Sequence, residues 1–93
     1  MILEMAVLNI KEGMSLEFEK SFERAAPILS GMKGHCSHEL RKCLDREDQY
    51  LLLVHWETLE DHEVGFRQSE EYQEWKALLH HFYDPFPEVL HYA

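Results

Sequence analysis

The run Tyr50–Trp56 (YLLLVHW) does more than any other segment to limit what this chain can become. Aromatic and branched residues throughout make it a strand. Strand side chains alternate between two faces, yet Leu51, Leu52, Leu53 and Val54 are apolar at every step, so both faces require burial. The other elements therefore have to cover one face, and something further has to cover the second.

Met1–Ile10 (MILEMAVLNI) is apolar but for Glu4 and Asn9 and reads as a strand, with Lys11-Glu12-Gly13 as the turn after it. Ser15 is suited to cap a helix, and Glu17 and Glu19 sit near its positive end. Phe18, Phe22, Ala25, Ala26, Leu29 and Met32 step by three or four and form one helical face. Pro27 removes an amide donor and is expected to kink or loosen the last turns, with Gly31 and Gly34 as a flexible exit. Cys36–Leu44 (CSHELRKCL) reads as a strand polar on both faces, and Asp45–Asp48 as a charged hairpin turn. Thr58 with Asp61 imitates a capping box and opens a short helix ending near Gly65. Ser69, Glu70 and Glu71 start another helix, whose apolar face is Tyr72, Trp75, Leu78, Leu79 and Phe82. Pro85 and Pro87 forbid its continuation, and Val89–Tyr92 closes the chain as a strand.

Strand, helix, strand, strand, helices, strand is the order of an α+β, ferredoxin-like fold: a four-stranded antiparallel sheet with helices on one face. Residues 1–93 make one domain, and a hydrophobic content of 45% is ample to pack it. A bare second sheet face would expose several hundred Å² of apolar surface, which monomers rarely tolerate. At roughly 1.5–3 kcal/mol per buried side chain, sheet-against-sheet pairing of two copies is the simplest remedy, so a homodimer is expected.

Eighteen acidic residues against nine basic ones leave a net charge of −9, the wrong sign for nucleic acid or an anionic membrane surface. No stretch approaches the ~20 apolar residues of a membrane span, and the N-terminus lacks the basic region of a signal peptide. Cys36 and Cys43 lie seven apart in one expected strand, hence on opposite faces and unable to bridge. Together these features point to a cytoplasmic protein.

Seven histidines invite a metal site, but their spacings do not support one. His80 and His81 are adjacent on a helix, His35 and His38 should face opposite sides of a strand, and neither H-x-x-x-H nor C-x-x-C occurs. No G-x-S-x-G elbow is present, and no phosphate-cradling glycine loop either, so a cofactor of the dinucleotide type is not expected. The aromatic residues Trp56, Phe66, Tyr72, Trp75, Phe82 and Tyr83 crowd one third of the chain. Tyr72, Trp75 and Phe82 serve mainly as the core stripe of a helix. Others can line an apolar cleft between helices and sheet, the usual form of a small-molecule site. His38, His55, His62 and His80 supply groups that titrate near neutrality, and Asn9 is a polar residue in an apolar strand.

S-H-E-L at Ser37–Leu40, Y-L-L-L-V-H-W-E-T-L-E-D-H at Tyr50–His62 and G-F-R-Q-S-E-E-Y at Gly65–Tyr72 resemble the antibiotic biosynthesis monooxygenase (ABM) domain family of dimeric α+β barrels. The remaining elements fit the same plan, so the similarity spans nearly the whole chain as a single ABM-like domain. The resemblance implies two sheets joined as a barrel, with one pocket per subunit for a small aromatic or hydrophobic molecule. It also implies oxidation of a quinol or polyketide-like aromatic by O2 with neither flavin nor metal. That chemistry needs a base, an oxyanion site and a dry cavity. Candidates for the catalytic groups are His38, His62 and Tyr72, with Asn9, His55, Trp56, Phe66, Trp75 and His80 around the substrate. A second reading is a non-catalytic hydrophobic-ligand-binding or stress-response dimer. A third is haem degradation, whose pattern of asparagine, tryptophan and helical histidine falls here on Ala6, Phe66 and Lys76 and is not met.

Overall fold

A computed structural model describes residues 1–93. Eight-residue strands β1 (Ile2–Asn9), β2 (His35–Lys42) and β3 (Gln49–Trp56) and the short β4 (Val89–Tyr92) form one antiparallel sheet in the order β2-β3-β1-β4. Helices α1 (Ser15–Ser30) and α2 (Glu70–Leu79) cover one face. A π-helical turn, Asp61–Phe66, precedes α2, and a short 3-10 turn, His80–Phe82, follows it. No helix is long and apolar enough to cross a membrane.

Period-two alternation places Tyr50, Leu52, Val54 and Trp56 of β3 under the helices, beside Ala6 and Leu8 of β1. Phe18, Phe22, Ala25 and Leu29 of α1, with Trp75 and Leu79 of α2, close on them. The other side carries Leu3, Met5 and Val7 of β1, Leu51 and Leu53 of β3, and Leu90 and Tyr92 of β4, in register across the strands. Val7, Leu90 and Tyr92 are 40%, 40% and 45% exposed, so this apolar face lacks a cover within the chain.

Several local expectations are corrected. Ser15 is the first helical residue and follows the cap position, Met14. Its hydroxyl donates instead to Asp48, which also accepts from the Gly13 amide at 3.2 Å. Asp48 adopts a left-handed backbone (φ 55°) in the hairpin turn and thereby ties that turn to the start of α1. Those two donors hold the Asp48 carboxyl below its ordinary pKa. Helix α1 runs unbroken through Pro27, because Ala25 and Leu29 are buried on either side and the proline faces solvent. β2 begins at His35 and ends at Lys42, and a bulge between His35 and Ser37 makes Cys36 the extra residue. That extra residue inverts the alternation. His35 and His38 consequently share a face, with ring nitrogens 2.9 Å apart, where plain alternation would oppose them. Gly34 (φ +86°) is required at the entry to this bulge, since a Cβ there would sit 2.2 Å from the Asp61 carboxylate.

Candidate functional site

Ser69 opens α2 by accepting the Tyr72 amide at 3.1 Å, and this cap aims Tyr72 and Trp75 back toward the sheet. Thr58 accepts the Asp61 amide at 3.1 Å and starts the turn that carries His62, Phe66 and Arg67 over the end of β1. Between these elements and the sheet lies a cavity of about 460 Å³, within the range that holds a small organic ligand. Its walls are mostly apolar: Ala6, Leu8, Leu29, Leu52, Val54, Phe66 and Trp75, with Phe86, Pro87 and Val89 along one rim. The polar groups reaching it are Glu4, His62, Arg67, Tyr72, His80 and Tyr83.

Glu4 is the unusual one. It sits in phase with Ala6 and Leu8, so the pleat of β1 turns its carboxyl inward, where it is 7% exposed. Oε1 accepts the Trp56 indole N–H at 2.9 Å and lies 3.3 Å from His62 Nε2. Burial pushes the Glu4 carboxyl above its ordinary pKa, against the Trp56 hydrogen bond and the Arg67 charge. His62 is 3% exposed and stacks on the Trp56 indole at 5.2 Å. Burial first, then Arg67 and His91, pull its pKa down to about 3, so the ring is neutral at ordinary pH. The 3.3 Å contact is accordingly a close approach of the carboxyl to a neutral imidazole and not an ion pair. The other ring nitrogen, Nδ1, lies 2.8 Å from His91 Nε2 on the edge strand.

Around this pair stand groups that hold their protons. Burial raises the Tyr72 and Tyr83 hydroxyl pKa values, so both remain donors near neutrality. His80 is shifted down, mainly by burial, and packs on Tyr72, Tyr83 and Phe86. Arg67 is the one cation on the lining and pairs with no carboxylate within 4 Å. The arrangement is an apolar chamber with one buried acid–base pair, phenolic donors and a single positive charge at the wall.

The family model for antibiotic biosynthesis monooxygenases matches residues 1–78 of this chain. The chain belongs to that family. Among its relatives is YczJ of Bacillus subtilis, 63% identical over 92 residues, a match covering 99% of this chain and 97% of YczJ. A family protein of known crystal structure from Bordetella bronchiseptica is 32% identical and superposes with a TM-score of 0.94 over 99% of this chain and 94% of its own. SnoaB, a cofactor-independent oxygenase from Streptomyces nogalater, has a TM-score of 0.82 over 99% of this chain and 90% of its own. At 18% identity, that last likeness is one of fold.

Within this ABM domain the residues singled out from sequence divide into two groups. His62, Tyr72, Phe66, Trp75 and His80 meet at the cavity. Trp56 lies just behind it, fully buried, and reaches it through Glu4. His38, Asn9 and His55 are not on the cavity lining. His38 packs on Phe22 and His35 toward the edge of β2, and Asn9 accepts from the Gln49 side chain at 2.9 Å. His55 points to the opposite sheet face, where its Nδ1 lies 3.2 Å from the Ser37 hydroxyl. Tyr83, one of the aromatic residues expected to offer cleft lining, is also on it, whereas the sequence does not single out Glu4, Arg67 or His91. Glu4 alone left a signal in the sequence, a carboxyl in the same alternation phase as the buried Ala6 and Leu8.

Proposed function

We propose that this chain is a cofactor-independent monooxygenase that oxidises a quinol or polyketide-like aromatic with O2, working as a homodimer. The observation that carries the reading is the Glu4–His62 pair, buried at the wall of an apolar cavity of ligand size. In its ionised form Glu4 takes a proton from the acidic C–H or O–H of the substrate, while the Trp56 N–H holds the carboxylate in place with the His62 ring beside it. The substrate anion gives an electron to O2. Recombination of the two radicals forms a C–O bond, and the peroxide is protonated and eliminates water to leave the ketone or quinone. Both electrons for the second oxygen atom come from the substrate, so the step balances without an added reductant. Arg67, Tyr72 and Tyr83, all on the cavity lining, are the donors that stabilise the phenolate and peroxide anions in this reading. Apolar walls disfavour bulk water, which would quench the carbanion.

The positions used by haem-degrading relatives do not favour that reaction. Ala6 and Phe66 line the cavity without a metal-binding atom, and Lys76 faces solvent. Support for the dimer comes from the uncovered face carrying Leu3, Met5, Val7, Leu51, Leu53 and Leu90. Sedimentation of the protein and of Leu53→Lys tests it: the expected result is a dimer that the charged residue dissociates.

The function is tested by oxygen uptake with a panel of quinols and anthrones, using 18O2 to follow one atom into product. Uptake above the autoxidation blank, lost in Glu4→Gln, is the expected result. Tight binding of the same compounds without uptake would replace this reading with that of a hydrophobic-ligand-binding dimer.

A further inference from the structure

Nothing in the proposed chemistry uses His91 or Glu63, yet the two extend the buried pair to the surface. Register places His91 of β4 directly opposite Glu4 of β1, and the π-helical turn lowers His62 onto both. The contacts run Glu4 Oε1 to His62 Nε2 at 3.3 Å, then His62 Nδ1 to His91 Nε2 at 2.8 Å. His91 Nδ1 lies 3.8 Å from Glu63 Oε1, just beyond direct hydrogen-bond reach, with Glu63 open to solvent. Exposure rises along the line: the side chains of His62, His91 and Glu63 are 4%, 18% and 45% exposed. Stacking on Trp56 fixes the His62 ring so that its two nitrogens point opposite ways along this line.

We propose that Glu4, His62, His91 and Glu63 form a proton relay by which the cavity carboxyl exchanges its proton with solvent while the cavity stays dry. The relay has two arrangements: the His62–His91 hydrogen bond is kept in both, and the 3.3 Å Glu4–His62 contact tightens to a hydrogen bond as the proton passes. In one, the Glu4 O–H donates to His62 Nε2, His62 Nδ1–H donates to His91 Nε2, and His91 Nδ1–H points to Glu63. Moving one proton at each link passes the Glu4 proton to His62, the Nδ1 proton of His62 to His91, and the Nδ1 proton of His91 to Glu63 or water. The product arrangement has a Glu4 carboxylate accepting from His62 Nε2–H, and His62 Nδ1 accepting from His91 Nε2–H. One proton leaves, no electron moves, and the reverse passage restores the acid. The other titratable or charged groups around this line are Arg67 just after the π-helical turn, Tyr72 on α2, and Tyr83 after the 3-10 turn. None of them bridges the relay to solvent by a hydrogen bond. The inference rests on the oxygenase reading only in taking Glu4 as the base. The surface outlet through His91 is independent of it.

The test uses His91→Gln, which keeps a hydrogen bond to His62 but cannot pass a proton, and His91→Ala, which leaves a space open to solvent. In 15N-histidine-labelled wild type, a coupling across the hydrogen bond between His62 Nδ1 and His91 Nε2 is expected, and the His62 ring proton should exchange with water. In His91→Gln that exchange should slow by at least roughly 10-fold, a small part of the 10²–10⁴ typical of a positioned acid–base group. With 1,8-dihydroxyanthrone deuterated at its acidic carbon and no oxygen present, the protein should wash deuterium into solvent faster than the buffer blank. His91→Gln should slow the washout by a similar factor, and added imidazole should restore it in His91→Ala. Unchanged His62 exchange in His91→Gln, or washout in His91→Ala that is slow and indifferent to imidazole, would overturn the relay. A wild type that washes out no deuterium and takes up no oxygen sinks the base reading instead, and the His62 exchange rates then decide the relay alone.

Discussion

Two histidine pairs in this molecule have nearly the same geometry and opposite prospects. His35 and His38 approach ring to ring at 2.9 Å, and His62 and His91 at 2.8 Å. The first pair is made by a bulge in an edge strand and rests on Phe22 and Trp56, with no carboxylate within 4 Å of either ring. The second joins a helical turn to the other edge strand, with Glu4 at its inner end, Glu63 at its outer end and a ligand-sized cavity beside it. Burial lowers the pKa of His35, His38 and His62 alike, so a perturbed histidine is not in itself a sign of function. What separates the pairs is what each ring's remaining nitrogen can give a proton to. A histidine with a proton source on one side and an outlet on the other can act as a relay, whereas one against a phenyl edge is packing.

The largest expected difference is in turnover. Glu4→Gln keeps the shape and the acceptor for Trp56 but loses the base, and oxygen uptake with 1,8-dihydroxyanthrone should fall by about 100-fold or more. His38→Gln should stay within about 2-fold of wild type, well short of the effect of losing an acid–base group. Equal losses in the two variants would erase the distinction between the pairs.

Next comes the support beneath the inner pair. Trp56→Phe retains the stacking surface for His62 but removes the N–H that Glu4 accepts, leaving a buried carboxyl short of a donor. Urea unfolding should show a loss of about 1–3 kcal/mol.

A smaller effect is expected in acid. His62 has a folded pKa of about 3 against an ordinary value of 6.5, so the unfolded chain binds the extra proton between those limits. Stability from this residue is therefore full above about pH 6.5 and lost as pH falls toward 3, at no more than about 1.4 kcal/mol per pH unit. Glu4 works the other way: its raised pKa makes the folded state the better proton binder above 4.5, so its contribution weakens as pH rises. His62→Gln should flatten the acid limb of a urea-midpoint versus pH curve more than His38→Gln does. The smallest effect is His38→Gln at neutral pH, expected to cost below about 1 kcal/mol, because the ring is only half buried.

Much of the architecture is legible in local pattern. The aromatic and branched run Tyr50–Trp56, the three-and-four spacing of Phe18, Phe22, Ala25 and Leu29, and the Ser69 cap each correspond to a structural element. The misses share a cause. Ser15, Pro27 and the His35–His38 facing depended on a distant carboxylate, on packing either side of a proline, and on one extra residue at Cys36. Each is decided by partners far along the chain: Asp48 for Ser15, the core against which α1 packs for Pro27, and the register with His55 and Trp56 for the bulge. The site divides in the same way: His62, Phe66, Tyr72, Trp75 and His80 are close in sequence and meet at the cavity, whereas His38 and His55 come from strands whose inward faces local pattern left open.

Periodicity and capping depend on residues a few positions apart, and this is why the amino-acid order alone settles the main strands and helices and the α+β class. Glu4 becomes a candidate base only once β1 is paired with β3 and β4, because its environment is built from Trp56, His62 and His91, which lie far along the chain. The desolvation that raises the carboxyl and silences the imidazole is a property of the assembled fold, and no segment carries it before the sheet and helices have met.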